Sequence, residues 1–302
     1  MAYSEVYLRQ VALLLRVLPD VAAETCFALK GGTAINLFLR DMSRLSVDID
    51  LTYLPVEPRA DSLRAIDAAM ARTKQRIQDR VPRVQIRETR NEGAVTRLLV
   101  RADNAQIKIE VTPVLRGCVL EPRLLPVSAK VEDTFAFAEM QVVSFADLYG
   151  GKLIAALDRQ HPRDFFDVRE LLAQEGVDDT LRRAFVVYVL SSSEPITKLL
   201  APPRKDISKE FLRNFEGMTA EPVPLVELTN ARDAMIDTVV GNMPVAHRQF
   251  LVSFARGEPD WALLDVAGAD QLPAVRWRQQ KLDQLSQDER AVLVAELEQV
   301  WA

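Results

Sequence analysis

The run Val47-Asp48-Ile49-Asp50-Leu51 sets two carboxylates one residue apart inside an apolar stretch. Side chains of a strand alternate between faces, so Asp48 and Asp50 share one face while Val47, Ile49 and Leu51 share the other. Two unit charges about 4 Å apart repel by roughly 4 kcal/mol at an effective dielectric near 20. A strand that is otherwise apolar needs a cation or a shared proton to carry such a pair, and a divalent metal is the simplest answer. The stretch from Cys26 to Leu54 that contains it organises the reading of the whole chain.

Upstream of the pair, Phe27 to Leu29 is a short apolar run leading into Gly31 and Gly32, after which Ala34 to Leu39 reads as a short helix. Backbone N–H groups at a glycine turn that opens a helix form an anion site, to which Thr33 adds a hydroxyl. Downstream, the pattern from Pro58 to Arg80 is helical with a basic exterior. Between Arg59 and Arg101 there are eleven Lys or Arg against five Asp or Glu, a local excess in a chain whose net charge is −5. Such an excess suits either RNA phosphates or a solvated face. Val84 to Glu88, Ala94 to Arg101 and Gln106 to Val111 alternate as strands of an antiparallel meander. Segments near Val119 to Leu125 and Met140 to Val143 are candidates to extend the sheet. In the last meander strand Lys108 and Glu110 face away from Ile107, Ile109 and Val111. Glu110 is therefore a third candidate carboxylate, placed to complete a metal cage with Asp48 and Asp50 and to take a proton from an attacking hydroxyl.

The 302 residues are 48% hydrophobic, enough for a large core without staples. Two distant cysteines, Cys26 and Cys118, match no metal or disulfide pattern and fit a reducing cytoplasm. No apolar run approaches the roughly 20 residues of a membrane span, so a cytoplasmic, membrane-free protein is expected. The weak net charge gives no global attraction to nucleic acid, and any such site must be local.

After Ser144 the sequence turns helical. Gly150-Gly151-Lys152 invites comparison with a phosphate loop, but that loop's spacing is absent and Leu153, not Ser or Thr, follows the lysine. Lys152 reads instead as a helix lysine that stabilises anionic oxygens as a point charge. Arg163, Asp164 and Asp167 open the next helix, where acidic side chains suit the helix dipole. The two histidines, His161 and His247, belong to no catalytic pattern. Residues 173–302 are mostly helical, broken near Pro202-Pro203 and Pro222 to Pro224.

Taken together in order, Gly31-Gly32-Thr33 followed by Arg44, Ser46, Asp48 and Asp50 resembles the first motif of the AbiEii/AbiGii nucleotidyltransferase toxins, relatives of the MenT toxins. Lys108-Ile109-Glu110 resembles the second motif, Lys152 with Asp158 and Arg159 the third, and Arg163-Asp164 with Asp167 the fourth. The resemblance spans about residues 26 to 172. It implies an α+β fold: a polymerase-beta-like mixed sheet flanked by helices, with a nucleotidyltransferase core over 1–172 and a helical C-terminal region over 173–302. It further implies that Asp48, Asp50 and Glu110 hold Mg²⁺, that Gly31, Gly32, Thr33 and Lys152 hold the phosphates of a nucleoside triphosphate, and that Asp164 positions Lys152 or the nucleotide. The implied acceptor is the 3′ end of tRNA, the outcome blocked translation and growth, and the partner a cognate antitoxin. A small-molecule nucleotidyltransferase of the antibiotic-modifying type, or an inactive binding module on the same fold, stands as the alternative.

Overall fold

The computed structural model describes residues 3–302 and divides into two units, the first comprising residues up to Ser144 with Phe215–Pro222, the second Phe145–Asn214 with Val223–Ala302. The first contains α1 (Glu5–Ala22), β1 (Phe27–Lys30), a single helical turn α2 (Gly31–Thr33) running into a π-helical stretch over Ala34–Leu39, β2 (Asp48–Tyr53) and α3 (Arg59–Arg80). It continues through β3 (Gln85–Asn91), β4 (Ala94–Ala102), β5 (Ala105–Arg116), β6 (Arg123–Pro126), the short helix α4 (Ala129–Thr134) and β7 (Glu139–Val142). The expected α+β class is thus observed, with one mixed seven-stranded sheet in the order β3-β4-β5-β2-β1-β7-β6.

β3, β4 and β5 form the expected antiparallel meander, whereas β2 runs parallel to β5, and β1 parallel to β7. Ile49 and Leu51 of β2, Ile107, Ile109 and Val111 of β5, and Leu98 and Val100 of β4 are all buried. They occupy the face on which α1 packs against β5 and α3 against β4. The period-two pattern fixes this orientation, because a one-residue slip would turn the whole apolar set outward.

The basic exterior of α3 has a structural purpose. Arg72 and Arg76 donate to the Glu24 carboxylate at 2.7 and 2.6 Å, and Arg80 to Asp20 at 2.7 Å. Arg76 also donates to the Asp20 carbonyl, so α3 caps the end of α1. Pro19 is a helix-ending signal in the sequence, yet with the Asp20 carbonyl held this way α1 continues to Ala22. Glu24 is only 6% exposed. Burial alone would raise its pKa, but the hydrogen bonds and charges of Arg72 and Arg76 outweigh burial and hold it below the ordinary glutamate range. A carboxylate lowered in the folded state stabilises above its unfolded pKa and loses that contribution as pH falls through the folded value. Glu24→Gln is expected to cost about 1–2 kcal/mol at neutral pH, discounted for the exposed arginines. The deficit should shrink below about pH 4, as urea unfolding followed by circular dichroism would read.

The second unit is helical throughout: α5 (Phe145–Arg159), α6 (Pro162–Gln174), α7 (Asp179–Ser191), α8 (Ile196–Leu200), α9 (Ser208–Asn214), α10 (Leu225–Ile236), α11 (Val245–Arg256), α12 (Pro273–Asp283) and α13 (Gln287–Glu298). The motifs end near 172, but the packing division falls at 144, because α5 packs against α6 and α7 of this unit. Gly150 and Gly151 make that packing possible. A Cβ on Gly150 would stand 3.0 Å from the Tyr188 ring and 3.4 Å from the α7 backbone, and one on Gly151 3.4 Å from the same ring. Among the described residues no helix is long and apolar enough to cross a membrane.

Candidate active site

The register of the sheet builds the site. Asp48 lies opposite Lys108, and Asp50 opposite Glu110, across the parallel β2–β5 pair; Lys30 of β1 lies opposite Asp50 on the other side. These side chains share the face turned away from α1 and α3. Lys108 donates to Glu110 Oε2 at 2.8 Å and lies 3.9 Å from Asp48 Oδ2. Arg97 of β4 donates through Nε to Glu110 Oε1 at 3.0 Å, and through a second nitrogen to the same oxygen. Both Glu110 oxygens are therefore engaged by cations. Burial would raise the Glu110 pKa, but Lys108 and Arg97 outweigh it and lower the value. Lys108 mirrors this: burial pulls it down, while Glu110, Asp48 and Asp50 hold it above the usual lysine range.

The glycine pair serves this carboxylate cluster directly. Gly31 adopts φ +74, and a Cβ there would stand 2.8 Å from Asp50 Oδ2. A Cβ on Gly32 would stand 2.6 Å from Arg44 Nη2 and 2.9 Å from Ser46 Oγ. Both positions admit backbone where a side chain would collide. Thr33, expected to offer its hydroxyl to a phosphate, is 1% exposed. That hydroxyl instead bonds Ser46 Oγ at 3.1 Å and the Asp48 carbonyl, tying the turn to the start of β2. Gly31→Ala is expected to destabilise the first unit by about 1–2 kcal/mol for the left-handed backbone alone. It should also displace the Asp50 carboxylate, and parallel thermal unfolding and activity measurements would register both effects.

In the second unit Lys152 is 6% exposed and does not project into solvent. Its ammonium lies 2.8 Å from Asp164 Oδ1 and 2.9 Å from Asp167 Oδ2. Arg159, at the end of α5, adds a bond to Asp164 Oδ2 at 3.0 Å. The third and fourth motifs thus converge on one buried ion cluster across the α5–α6 corner. His161 N-caps α6, its Nδ1 accepting from the Arg163 backbone at 3.2 Å, and His247 is buried in α11.

A hard divalent cation takes carboxylate oxygens. Asp48 and Asp50 supply them on one face, half-buried, with Lys108 already compensating their charge, so this pair fits such an ion. Glu110 fits less directly. Among the described residues no three Asp, Glu, His or Cys side chains are gathered as a ready metal cage, because Glu110 is drawn to Lys108 and Arg97. Sequence reasoning passed over Arg97, whose signal was available in the register: it sits on the same face as Glu110, one strand further out.

The family model described as nucleotidyl transferase AbiEii toxin, type IV TA system, matches residues 12–280 of the chain. Among solved structures the chain is similar to MenT4, a nucleotidyltransferase toxin from Mycobacterium tuberculosis H37Rv, with a TM-score of 0.56 and 17% identity over 90% of this chain and 93% of that one. The comparison with curated proteins gives no match. At that identity the MenT4 likeness speaks for the fold, and the family match speaks for the activity. With that match spanning both units, this chain belongs to the AbiEii family of nucleotidyltransferase toxins of type IV toxin–antitoxin systems.

Proposed function

We propose that the enzyme transfers a nucleoside monophosphate from a nucleoside triphosphate to the 3′ end of tRNA, in a Mg²⁺-dependent reaction that stops translation and growth. The observation that carries this reading is the same-face pair Asp48 and Asp50, set beside Lys108 and Glu110 and approached closely by the Gly31 turn. Asp48 and Asp50 would hold the metal, which when bound supplies positive charge to the phosphates as pyrophosphate departs. In the transfer itself the acceptor hydroxyl oxygen bonds the α-phosphorus while that phosphorus loses its bridging oxygen to pyrophosphate. Lys108 and Arg97 are placed to move from Glu110 onto phosphate oxygens. Glu110, relieved of them, would take the hydroxyl proton. The backbone at Gly31 and Gly32 serves the phosphates, and Lys152, which the resemblance assigns to the same phosphates, is held between Asp164 and Asp167.

The partner of this reading is a cognate antitoxin, as the family implies, and the working compartment is the cytoplasm. The test is incubation with bulk tRNA, Mg²⁺ and each labelled nucleoside triphosphate in turn. Label should enter tRNA, require Mg²⁺, and disappear when the tRNA 3′ terminus is first oxidised with periodate. Label entering only small hydroxyl compounds would overturn the tRNA reading in favour of a small-molecule transferase.

A further inference from the structure

The local excess of cations noted in the sequence separates into two groups once the register is known. Those of α3 are tied to carboxylates: Arg59 to Glu92, Arg64 to Asp61, Arg72 and Arg76 to Glu24, Lys74 to Glu88, and Arg80 to Asp20. Of the strand cations Arg90 is likewise tied, to Asp67 of α3 at 3.2 Å, and the others are placed differently. Following the pairing outward from the carboxylates, Asp48 stands in one row with Lys108, Leu99 and Arg87, and Asp50 in the next with Glu110, Arg97 and Thr89. A further row sets Gln106 beside Arg101 and Gln85. All of these lie on the face opposite the helices.

Arg87, Arg97 and Arg101 are exposed. Arg97 is engaged by Glu110, but among the described residues neither Arg87 nor Arg101 has a carboxylate partner; Arg101 donates to Gln106. Over β1 to β5 this face therefore carries Lys30, Lys108, Arg97, Arg101 and Arg87 against Asp48, Asp50 and Glu110. On this face the negative charge is confined to the inner strands, and the charged side chains of the outer two are arginines. With three strand spacings between them, the Arg87 backbone lies about 14 Å from that of Asp48.

We infer that the outer sheet face formed by β3 and β4 is a track for the phosphodiester backbone of a polynucleotide acceptor, with Arg87 and Arg101 as its phosphate contacts. This rests on the polynucleotide reading of the acceptor given above and adds where the polymer runs. Arginine suits the task because its planar fork pairs with phosphate oxygens bidentately. A small acceptor seated at the carboxylates has no use for cations two and three strands away. A polymer does, and each phosphate it brings to an arginine releases counterions, so binding should weaken steeply with salt.

The test uses the full chain in two assays: titration of a dye-labelled, single-stranded RNA oligonucleotide of mixed sequence across a salt series, and label transfer to bulk tRNA. Arg87→Ala combined with Arg101→Ala is expected to weaken RNA binding about 10-fold at low salt. It should also reduce the slope of log affinity against log salt by about 1.4, for two lost single-strand phosphate contacts. Both arginines are exposed, so the folded state should persist, as thermal unfolding would verify. Arg87→Lys with Arg101→Lys should restore most of the slope, since charge is kept while the fork is lost. Wild-type affinity and slope in the folded double-alanine variant would overturn the track even if tRNA is labelled normally. RNA binding that depends on these arginines, without any label transfer to RNA, would leave the track standing and overturn the transfer reading instead.

Discussion

Asp48→Asn and Asp50→Asn are each expected to lower nucleotide transfer by about 10³-fold, and expression of either variant should no longer arrest growth. The size follows from the role. If the proposed role holds, losing one of the two carboxylates that would hold the metal removes several kcal/mol of charge stabilisation at the phosphates, and about 4 kcal/mol is roughly three decades of rate. The fold should survive, because both side chains sit on the open face and each amide keeps the shape of its carboxylate. Thr33 bonds the backbone carbonyl of Asp48, which neither substitution alters. Removing one negative charge also relieves the crowding of Asp48, Asp50 and Glu110 around Lys108, so thermal stability should hold or rise slightly. Growth arrest undiminished by a folded Asp48→Asn protein would exclude this carboxylate pair from the chemistry.

Much of this site was legible in the sequence because strand periodicity is a strict code. Once Asp48, Asp50, Lys108 and Glu110 were read on alternating positions, only the pairing of β2 with β5 was needed to bring them together. Several features were not legible. Gly31-Gly32 read as an anion turn, whereas the close approach of Asp50, Arg44 and Ser46 is a contact across 12 or more residues of sequence that no local pattern encodes. Thr33 likewise had a local reading, and the carbonyl and hydroxyl that claim it come from the far side of a loop. Gly150-Gly151 resembled a phosphate loop, but the Tyr188 ring that requires small residues there arrives from a different helix. The α1 boundary differs for the same kind of reason: Pro19 signals a stop, and Arg76 of α3, which satisfies the Asp20 carbonyl, overrides it. The charge excess of residues 59–101 was visible as a sum and ambiguous as a function, since only pairing tells a structural arginine from an available one.

Lys152→Met is expected to destabilise the helical unit by about 3–5 kcal/mol, the usual cost of removing one partner from a buried ion cluster. The side chains of Asp164 and Asp167 are 4% and 0% exposed, and the methionine would leave both carboxylates without the ammonium that bridges them. Arg159 remains on Asp164, but its side chain is 61% exposed and its pairing is correspondingly weak. The readout is well placed, because Trp261, Trp277 and Trp301 are the three tryptophans of the chain and all lie in this unit. Tryptophan fluorescence in urea therefore follows the helical unit alone. Adding Asp167→Asn to Lys152→Met should recover part of the loss, since an uncharged amide of nearly the same volume replaces a buried carboxylate that has lost its ammonium. A loss below about 1 kcal/mol in the single variant would mean that the ammonium contributes no net stability between the two carboxylates. The double variant also separates stability from chemistry: if it refolds to near wild-type stability and still fails to transfer label, Lys152 acts on the reaction and not only on the fold.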